Sequence, residues 1–199
     1  MTTNSFEYRK DFRTKEIFEE NLIDFTEREY YWGIILRLDF TERGHPCSLI
    51  EHGVDNTGKL IEGRLPNYNV DKIFSFLNGK KKPVEIKSIP ENINNFMTFK
   101  VSSLEVCCEE DAWLIVPRSK AYYLYNSKTC RYLLENYPHK IYWNYETQKG
   151  FSPKPAVRIF KNDIQKFIKD NKITEVFWKN SSLKSIRENW DILFREKST

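Results

Sequence analysis

Apolar and charged residues alternate between positions 84 and 87, which predicts a short β-strand. Val84 and Ile86 are apolar, and they alternate with Glu85 and Lys87. Because successive side chains of a strand point to opposite faces, the apolar pair shares one face and the two opposite charges share the other. We therefore expect a strand with one buried face and with a carboxylate and an ammonium group side by side on its second face.

A tight turn precedes this strand. Asn78-Gly79 is a strong hairpin signal, because both residues tolerate a positive φ. If the loop holds an odd number of residues centred on Gly79, Asp71 lies opposite Lys87, and Asp71, Glu85 and Lys87 converge on one face. A two-residue loop would instead turn Asp71 away. We predict a three- or five-residue loop, or a bulge; the alternative is an exposed hairpin with solvated charges.

The same patterns predict the other elements of the chain. Residues 30–40 fit either a helix or a strand, and we favour a helix. Residues 47–51 fit a first core strand or the end of a helix. The remaining predictions are a helix over 14–25, strands over 60–65, 112–116, 121–125 and 157–160, and helices over 99–109, 128–137, 163–169 and 183–194.

Length and composition favour a single globular domain. The chain has 199 residues, of which 15% are aromatic and 30% are charged. Its four cysteines form no C-x-x-C pair, which argues against a structural zinc site and a disulfide framework. No signal peptide and no long apolar run are visible, so we expect a cytoplasmic protein without a membrane segment.

Positive charge is concentrated in the last third of the chain. Residues 140–199 contain 13 Lys and Arg against seven Asp and Glu, whereas the whole chain has a net charge of +4. Arg158, Lys161 and Lys166, with Tyr and Trp nearby, could line a phosphate backbone. A solvated helix face explains the same charges equally well.

Asp71 followed by Glu85-Ile86-Lys87 resembles the Asp…(Asp/Glu)-x-Lys signature of the PD-(D/E)xK nuclease superfamily, although Val70 stands where that family usually has Pro. The predicted order of hairpin, helix and strand is similar to the family core, and the resemblance covers roughly residues 45–125. It implies an α/β, restriction-endonuclease-like fold, with a mixed central sheet flanked by helices. The single domain would comprise a core over about 12–137 and a basic, aromatic C-terminal α/β extension over 138–199.

The resemblance implies a Mg²⁺-dependent DNA endonuclease that acts on duplex or branched DNA and leaves 5′-phosphates. Asp71, Glu85 and the backbone carbonyl of Ile86 would hold Mg²⁺, for which Mn²⁺ can substitute, because Mg²⁺ prefers hard oxygen ligands. Lys87 would lie near the attacking water. No organic cofactor is expected. A homodimer is expected by analogy, since cleavage of both strands usually needs two active sites.

Four further residues are candidates for supporting roles. Members of this fold often carry another acidic residue on the first helix, which suggests Glu20, and Glu51 precedes the motif in sequence. Lys100 and Ser102 open the predicted helix after the hairpin, where backbone amides suit a phosphate. The alternatives are a solvated helix face for Glu20, a surface turn for Glu51, and ordinary helix capping at 100–102.

Other functions remain open on the sequence alone. The main alternative is a non-catalytic member of the same fold that binds DNA or another protein, and a weaker one is an RNA-cleaving enzyme. A coincidental hairpin in an unrelated α/β protein is the third. The presence of Asp71, Glu85 and Lys87 together favours the nuclease, because a degenerate binding protein has no need of all three.

Overall fold

The structure is a computed structural model that describes residues 15–51, 70, 72–87, 96–140 and 155–194, with side chains from residue 27 to residue 50 in the first range. The described helices are α1 (Lys15–Glu42), α2 (Val101–Glu109), α3 (Ser127–Asn136), α4 (Lys161–Lys169), α5 (Asn180–Glu188) and α6 (Trp190–Leu193). The described strands are β1 (Cys47–Glu51), β2 (Lys72–Phe76), β3 (Lys81–Ile86), β4 (Phe96–Lys100), β5 (Trp113–Pro117), β6 (Ala121–Tyr125), β7 (Ala156–Phe160) and β8 (Ile173–Phe177).

Six of these strands form one mixed sheet in the order β1-β2-β3-β5-β6-β8. β3 and β5 pair in parallel, and the other neighbours pair antiparallel. Parallel neighbours need a crossover connection, and α2 lies in the segment that joins them. β4 and β7 form a separate two-stranded antiparallel ribbon. The fold is therefore mixed α/β, as the sequence predicts.

Two hydrophobic clusters pack on the sheet. The cluster beneath α1 and α5 includes Trp32, Leu36, Phe74, Ile86 and Ile186. The cluster beneath α2, α3 and α4 joins the ribbon to the sheet and includes Leu104, Leu114, Leu133, Ile159 and Phe167. Alternate residues of β5 enter different clusters, so both faces of this central strand are covered.

The ambiguous segment over 30–40 is helical and belongs to α1. Trp32, Ile35, Leu36 and Phe40 are buried, and their successive spacings of three, one and four residues place them along one side of a helix. Residues 47–51 form β1, which pairs with β2, so the strand interpretation of that segment is the correct one.

The structure differs from the prediction at three elements. The helix predicted over 99–109 begins at Val101, because Phe99 lies in β4 opposite Val157. The helix predicted over 183–194 is two helices that meet at Asn189, where the backbone has φ −113° and ψ 21°. β8 was not predicted; it pairs with β6 and thereby brings the C-terminal third of the chain into the main sheet. The predicted strand over 60–65 lies outside the described residues.

None of the helices in the described ranges has an apolar stretch long enough to cross a membrane.

Candidate functional site

The turn between β2 and β3 is a three-residue loop. The backbone N–H of Phe76 donates to the carbonyl of Lys80 at 2.8 Å, which closes the loop over residues 77–79. Gly79 has a φ of +80°, so a left-handed residue ends the turn, as in three-residue hairpins. The side chain of Asn78 accepts a bond from the Lys80 N–H at 3.0 Å. The prediction of an odd loop is confirmed, but its centre is Asn78 and not Gly79.

The position of this centre changes the register of the hairpin. Lys72 lies opposite Val84, whereas a loop centred on Gly79 would place Lys72 opposite Ile86. The predicted register is therefore wrong by two residues over the described pairs. A shift of two leaves every side chain on its face, so the face predicted for Glu85 is unaffected. Asp71 itself lies outside the described residues.

Glu85 and Lys87 meet on one face of β3. Nζ of Lys87 lies 2.5 Å from Oε1 of Glu85, and the side chains are 27% and 7% exposed, respectively. The Lys87 backbone N–H donates to the carbonyl of Ile115 at 2.9 Å, which anchors this end of β3 to β5. The two charges lie on one face, as the alternation of residues predicts. The burial of the Glu85 carboxylate was not predicted.

Two thiols lie beside this pair. Cys107 of α2 and Cys130 of α3 are fully buried. The hydrogen bond with Cys130, burial and the negative charge of Glu85 raise the pKa of the Cys107 thiol, whereas the positive charge of Lys87 lowers it. Cys107 is therefore a protonated thiol at neutral pH in the metal-free protein.

The described residues contain no group of three His, Cys, Asp or Glu side chains able to hold a metal ion. Glu85 supplies one hard oxygen donor, of the kind that Mg²⁺ prefers, and Lys87 already contacts one of its two oxygens. Glu85 alone does not make a metal site. A site for Mg²⁺ at this position needs a further carboxylate, which the sequence assigns to Asp71, outside the described residues.

The remaining metal-site candidates are placed only in part. The side chain of Ile86 is buried in the cluster beneath α1, on the opposite face from Glu85, so the role predicted for Ile86 concerns its backbone carbonyl and not its side chain. Glu20 lies within α1 and Glu51 ends β1 opposite Lys72. The side chains of both acidic residues lie outside the description.

Lys100 and Ser102 flank the start of α2. Lys100 ends β4 and occupies the N-cap position, and no side chain caps the helix. The first helical N–H, that of Val101, donates to the carbonyl of Pro155 at 3.0 Å. Side-chain capping of the N-terminus of α2, the alternative to a phosphate site, is therefore not what the structure shows. Both Lys100 and Ser102 are half-buried.

The three C-terminal basic candidates lie on two elements. Arg158 is in β7, and its guanidinium lies 3.8 Å from the centre of the Phe96 ring. Lys161 begins α4, and Lys166 is exposed in its last turn. Lys140, which forms a bridge with Ala156 next to β7, was missed by the sequence reasoning. The alternation of the apolar residues Met97, Phe99 and Val101 was the signal for the ribbon strand β4, but Phe99 and Val101 also fit the helix predicted over 99–109.

No model of a known protein family matches this chain, and no curated protein sequence matches it either. The assignment of function therefore depends on the residues and their geometry.

Proposed function

We propose that the protein is a Mg²⁺-dependent DNA endonuclease whose hydrolytic site is formed by Asp71, Glu85 and Lys87. The observation that carries the proposal is the contact between Glu85 and Lys87, on the face of β3 opposite the side chain of Ile86. An acidic residue and a lysine two positions apart on a central strand are the second half of the motif that the sequence resembles. The proposal requires the Asp71 carboxylate to lie beside that of Glu85.

The order of elements supports the same proposal. A long helix, three antiparallel strands, a crossover helix and a strand parallel to the third follow one another as α1, β1, β2, β3, α2 and β5, with β4 inserted before α2. A restriction-endonuclease-like core has the same order of helix, hairpin, helix and strand. We propose that these elements form such a core and that the elements after β6 extend it.

Each residue has a distinct role in this proposal. Glu85 and Asp71 would hold Mg²⁺ together with the carbonyl of Ile86. A bound Mg²⁺ would polarise the scissile phosphate and lower the pKa of a coordinated water. Lys87 is held by Glu85 and is partly exposed, so its ammonium can orient the attacking water or stabilise negative charge on the phosphate. Lys87 also offsets the repulsion between the carboxylates and DNA.

The test is DNA cleavage by the purified full chain. Supercoiled, linear, single-stranded and branched DNA are incubated with Mg²⁺ and, separately, with EDTA. We expect cleavage only with Mg²⁺, products with 5′-phosphates, and loss of cleavage in Asp71→Ala and Lys87→Ala. Lys184→Ala is the matched control, since Lys184 pairs with Glu188 on the surface of α5. Cleavage that persists in EDTA, or in both site variants, contradicts the proposal.

A second candidate is a non-catalytic protein of the same fold that binds DNA or another protein. It is favoured by one observation: within the described ranges, Glu85 belongs to no three-ligand metal group and is already paired with Lys87. DNA binding without cleavage under any of the conditions above, and without loss of binding in Asp71→Ala, supports this candidate over the nuclease.

A further inference from the structure

The ribbon formed by β4 and β7 has one fully buried face and one partly exposed face, on which Phe160 is exposed and Ala156 is buried. Met97, Phe99, Val157 and Ile159 are at most 3% exposed and belong to the core beneath α2 and α4. The residues that alternate with them point the other way. We call this outward set the ribbon face, and its side chains are Phe96, Thr98, Lys100, Arg158 and Phe160.

Three cations lie on or beside the ribbon face. Arg158 pairs with Thr98, and Lys100 pairs with Ala156 two residues further along each strand. Ala156 also bridges to Lys140, with backbone bonds of 3.0 and 2.8 Å in the two directions. Cross-strand neighbours share a face. Lys140, Ala156 and Lys100 therefore form a row across the ribbon, in which a small residue separates two ammonium groups.

Aromatic rings complete this surface. The Phe160 side chain is 54% exposed, and its ring lies edge-on to that of Phe96 at a centroid distance of 6.1 Å. The face of Phe96 is covered by the guanidinium of Arg158, so Phe160 is the ring available for a ligand.

A groove of about 460 Å³ runs beside Phe160. It is lined by Asn136, Tyr137, Pro138, Lys140, Arg158, Phe160 and Asp163. Its lining contains two cations and one carboxylate, that of Asp163. The groove is therefore able to accept an anionic group beside an exposed ring.

We propose that the ribbon face binds a single-stranded segment of nucleic acid, with phosphates on Lys100, Lys140 and Arg158 and an unpaired base stacked on Phe160. Basic side chains that follow the backbone, combined with an exposed ring, are how proteins hold single strands without reading their sequence. A duplex keeps its bases stacked inside and offers none to Phe160. The carboxylates of an acidic peptide do not stack on an aromatic ring. That the nucleic acid is DNA rests on the proposed nuclease function. The inference adds that an unpaired strand is part of the substrate.

The test is fluorescence anisotropy with a labelled oligothymidine of about 20 nucleotides, longer than the site of a typical single-strand-binding fold. Binding is measured with the full chain in EDTA, so that cleavage plays no part. We expect Phe160→Ala to weaken binding about tenfold. We expect Lys140→Ala/Arg158→Ala to weaken it as well and to reduce the slope of log K against log salt by about 1.4, the value for two lost phosphate contacts.

The matched control is Lys184→Ala/Arg187→Ala, which removes the same two charges from the exposed side of α5. It should bind as the unsubstituted protein does. Because Arg158 packs on Phe96, Lys140→Ala alone serves as a second variant, since Lys140 is exposed and its loss leaves the core intact. Thermal unfolding of each variant confirms that it is folded.

Three results would overturn the inference: equal loss of binding in the control, unchanged binding in Phe160→Ala and Lys140→Ala, or competition by duplex DNA or polyglutamate as strong as by unlabelled oligothymidine. The outcome is separable from that of the proposed function. Cleavage is tested in Mg²⁺ with the Asp71 and Lys87 variants, whereas the ribbon variants are tested for binding in EDTA, where no cleavage occurs.

Discussion

The ammonium of Lys87 lies 2.5 Å from Oε1 of Glu85, and the two residues are separated by a single residue of β3. The intervening Ile86 points into the cluster beneath α1, so the strand itself places the two charges on the same face. The contact is thus a consequence of backbone geometry, and the parallel pairing of β3 with β5 holds it in position.

Replacement of the carboxylate should abolish cleavage. We expect Glu85→Gln to lower the rate of Mg²⁺-dependent DNA cleavage by at least about 100-fold, the usual loss when a group that stabilises developing charge is removed. The measurement is nicking of supercoiled DNA followed over time. Glu188→Gln removes an equivalent carboxylate from an exposed ion pair on α5 and should cleave at the normal rate. Similar rates for the two variants would exclude Glu85 from the reaction.

The same pair should also affect stability. Lys87→Met leaves the buried Glu85 without its cation, and we expect a loss of about 3 kcal/mol in the free energy of unfolding. Glu85→Gln/Lys87→Met removes both charges and should recover much of that loss, because no buried carboxylate charge remains at position 85. Urea denaturation of the two single variants and the double variant gives the coupling energy. Additive losses would show that the 2.5 Å contact does not stabilise the fold.

Local patterns predicted the shared face of Glu85 and Lys87 better than the elements that pair with distant parts of the chain. The faces of Glu85 and Lys87 follow from a period of two, which does not depend on distant parts of the chain. The centre of the loop could not be derived from the Asn-Gly signal, because Gly79 ends a three-residue loop and is not the second residue of a two-residue turn.

Elements that depend on distant partners were harder to predict. β4 is a strand because β7, almost 60 residues later in the sequence, pairs with it, and nothing in the local pattern separates Phe99 from the helix that begins at Val101. β8 was missed for the same reason: Thr174 and Glu175 interrupt its apolar residues, and its pairing with β6 stabilises the strand.

A buried carboxylate joins the end of α1 to the start of α5. Asp39 is fully buried and accepts hydrogen bonds from the side chain of Arg43 at 2.5 Å, the backbone N–H of Lys179 at 2.9 Å and the hydroxyl of Tyr122 at 3.3 Å. We expect Asp39→Ala to lower the free energy of unfolding by about 3–5 kcal/mol, since it leaves buried donors and a cation without their acceptor.

Two variants show whether this loss comes from the network. Tyr122→Phe removes only the longest of the bonds that Asp39 accepts and should cost about 1 kcal/mol. Asp191→Ala removes an exposed carboxylate from α6 and should be close to neutral. Urea denaturation measures all three. A cost for Asp39→Ala no greater than that of Tyr122→Phe would mean that Asp39 does not connect the two helices energetically.

The charge of Asp111 should make the free energy of unfolding depend on pH in the acidic range. Hydrogen bonds from Lys82 and then Ser127 hold the pKa of Asp111 below its usual value of 3.8. A lowered folded-state pKa adds stability that is complete above the unfolded value and is lost as the pH falls through the folded one. Asp111→Asn keeps a residue type that tolerates the φ of +48° at this position, so it removes the charge without backbone strain.

We therefore expect Asp111→Asn to be less stable than the unsubstituted protein near neutral pH and the difference to shrink below pH 3.8. The Asp111 side chain is 77% exposed, so water screens the pair and the difference should stay below about 1 kcal/mol. It should also shrink in high salt. Urea denaturation from neutral pH into this acidic range, with and without added salt, makes the comparison. A difference that is independent of both pH and salt would indicate that the Asp111 side chain acts through packing and not through its charge.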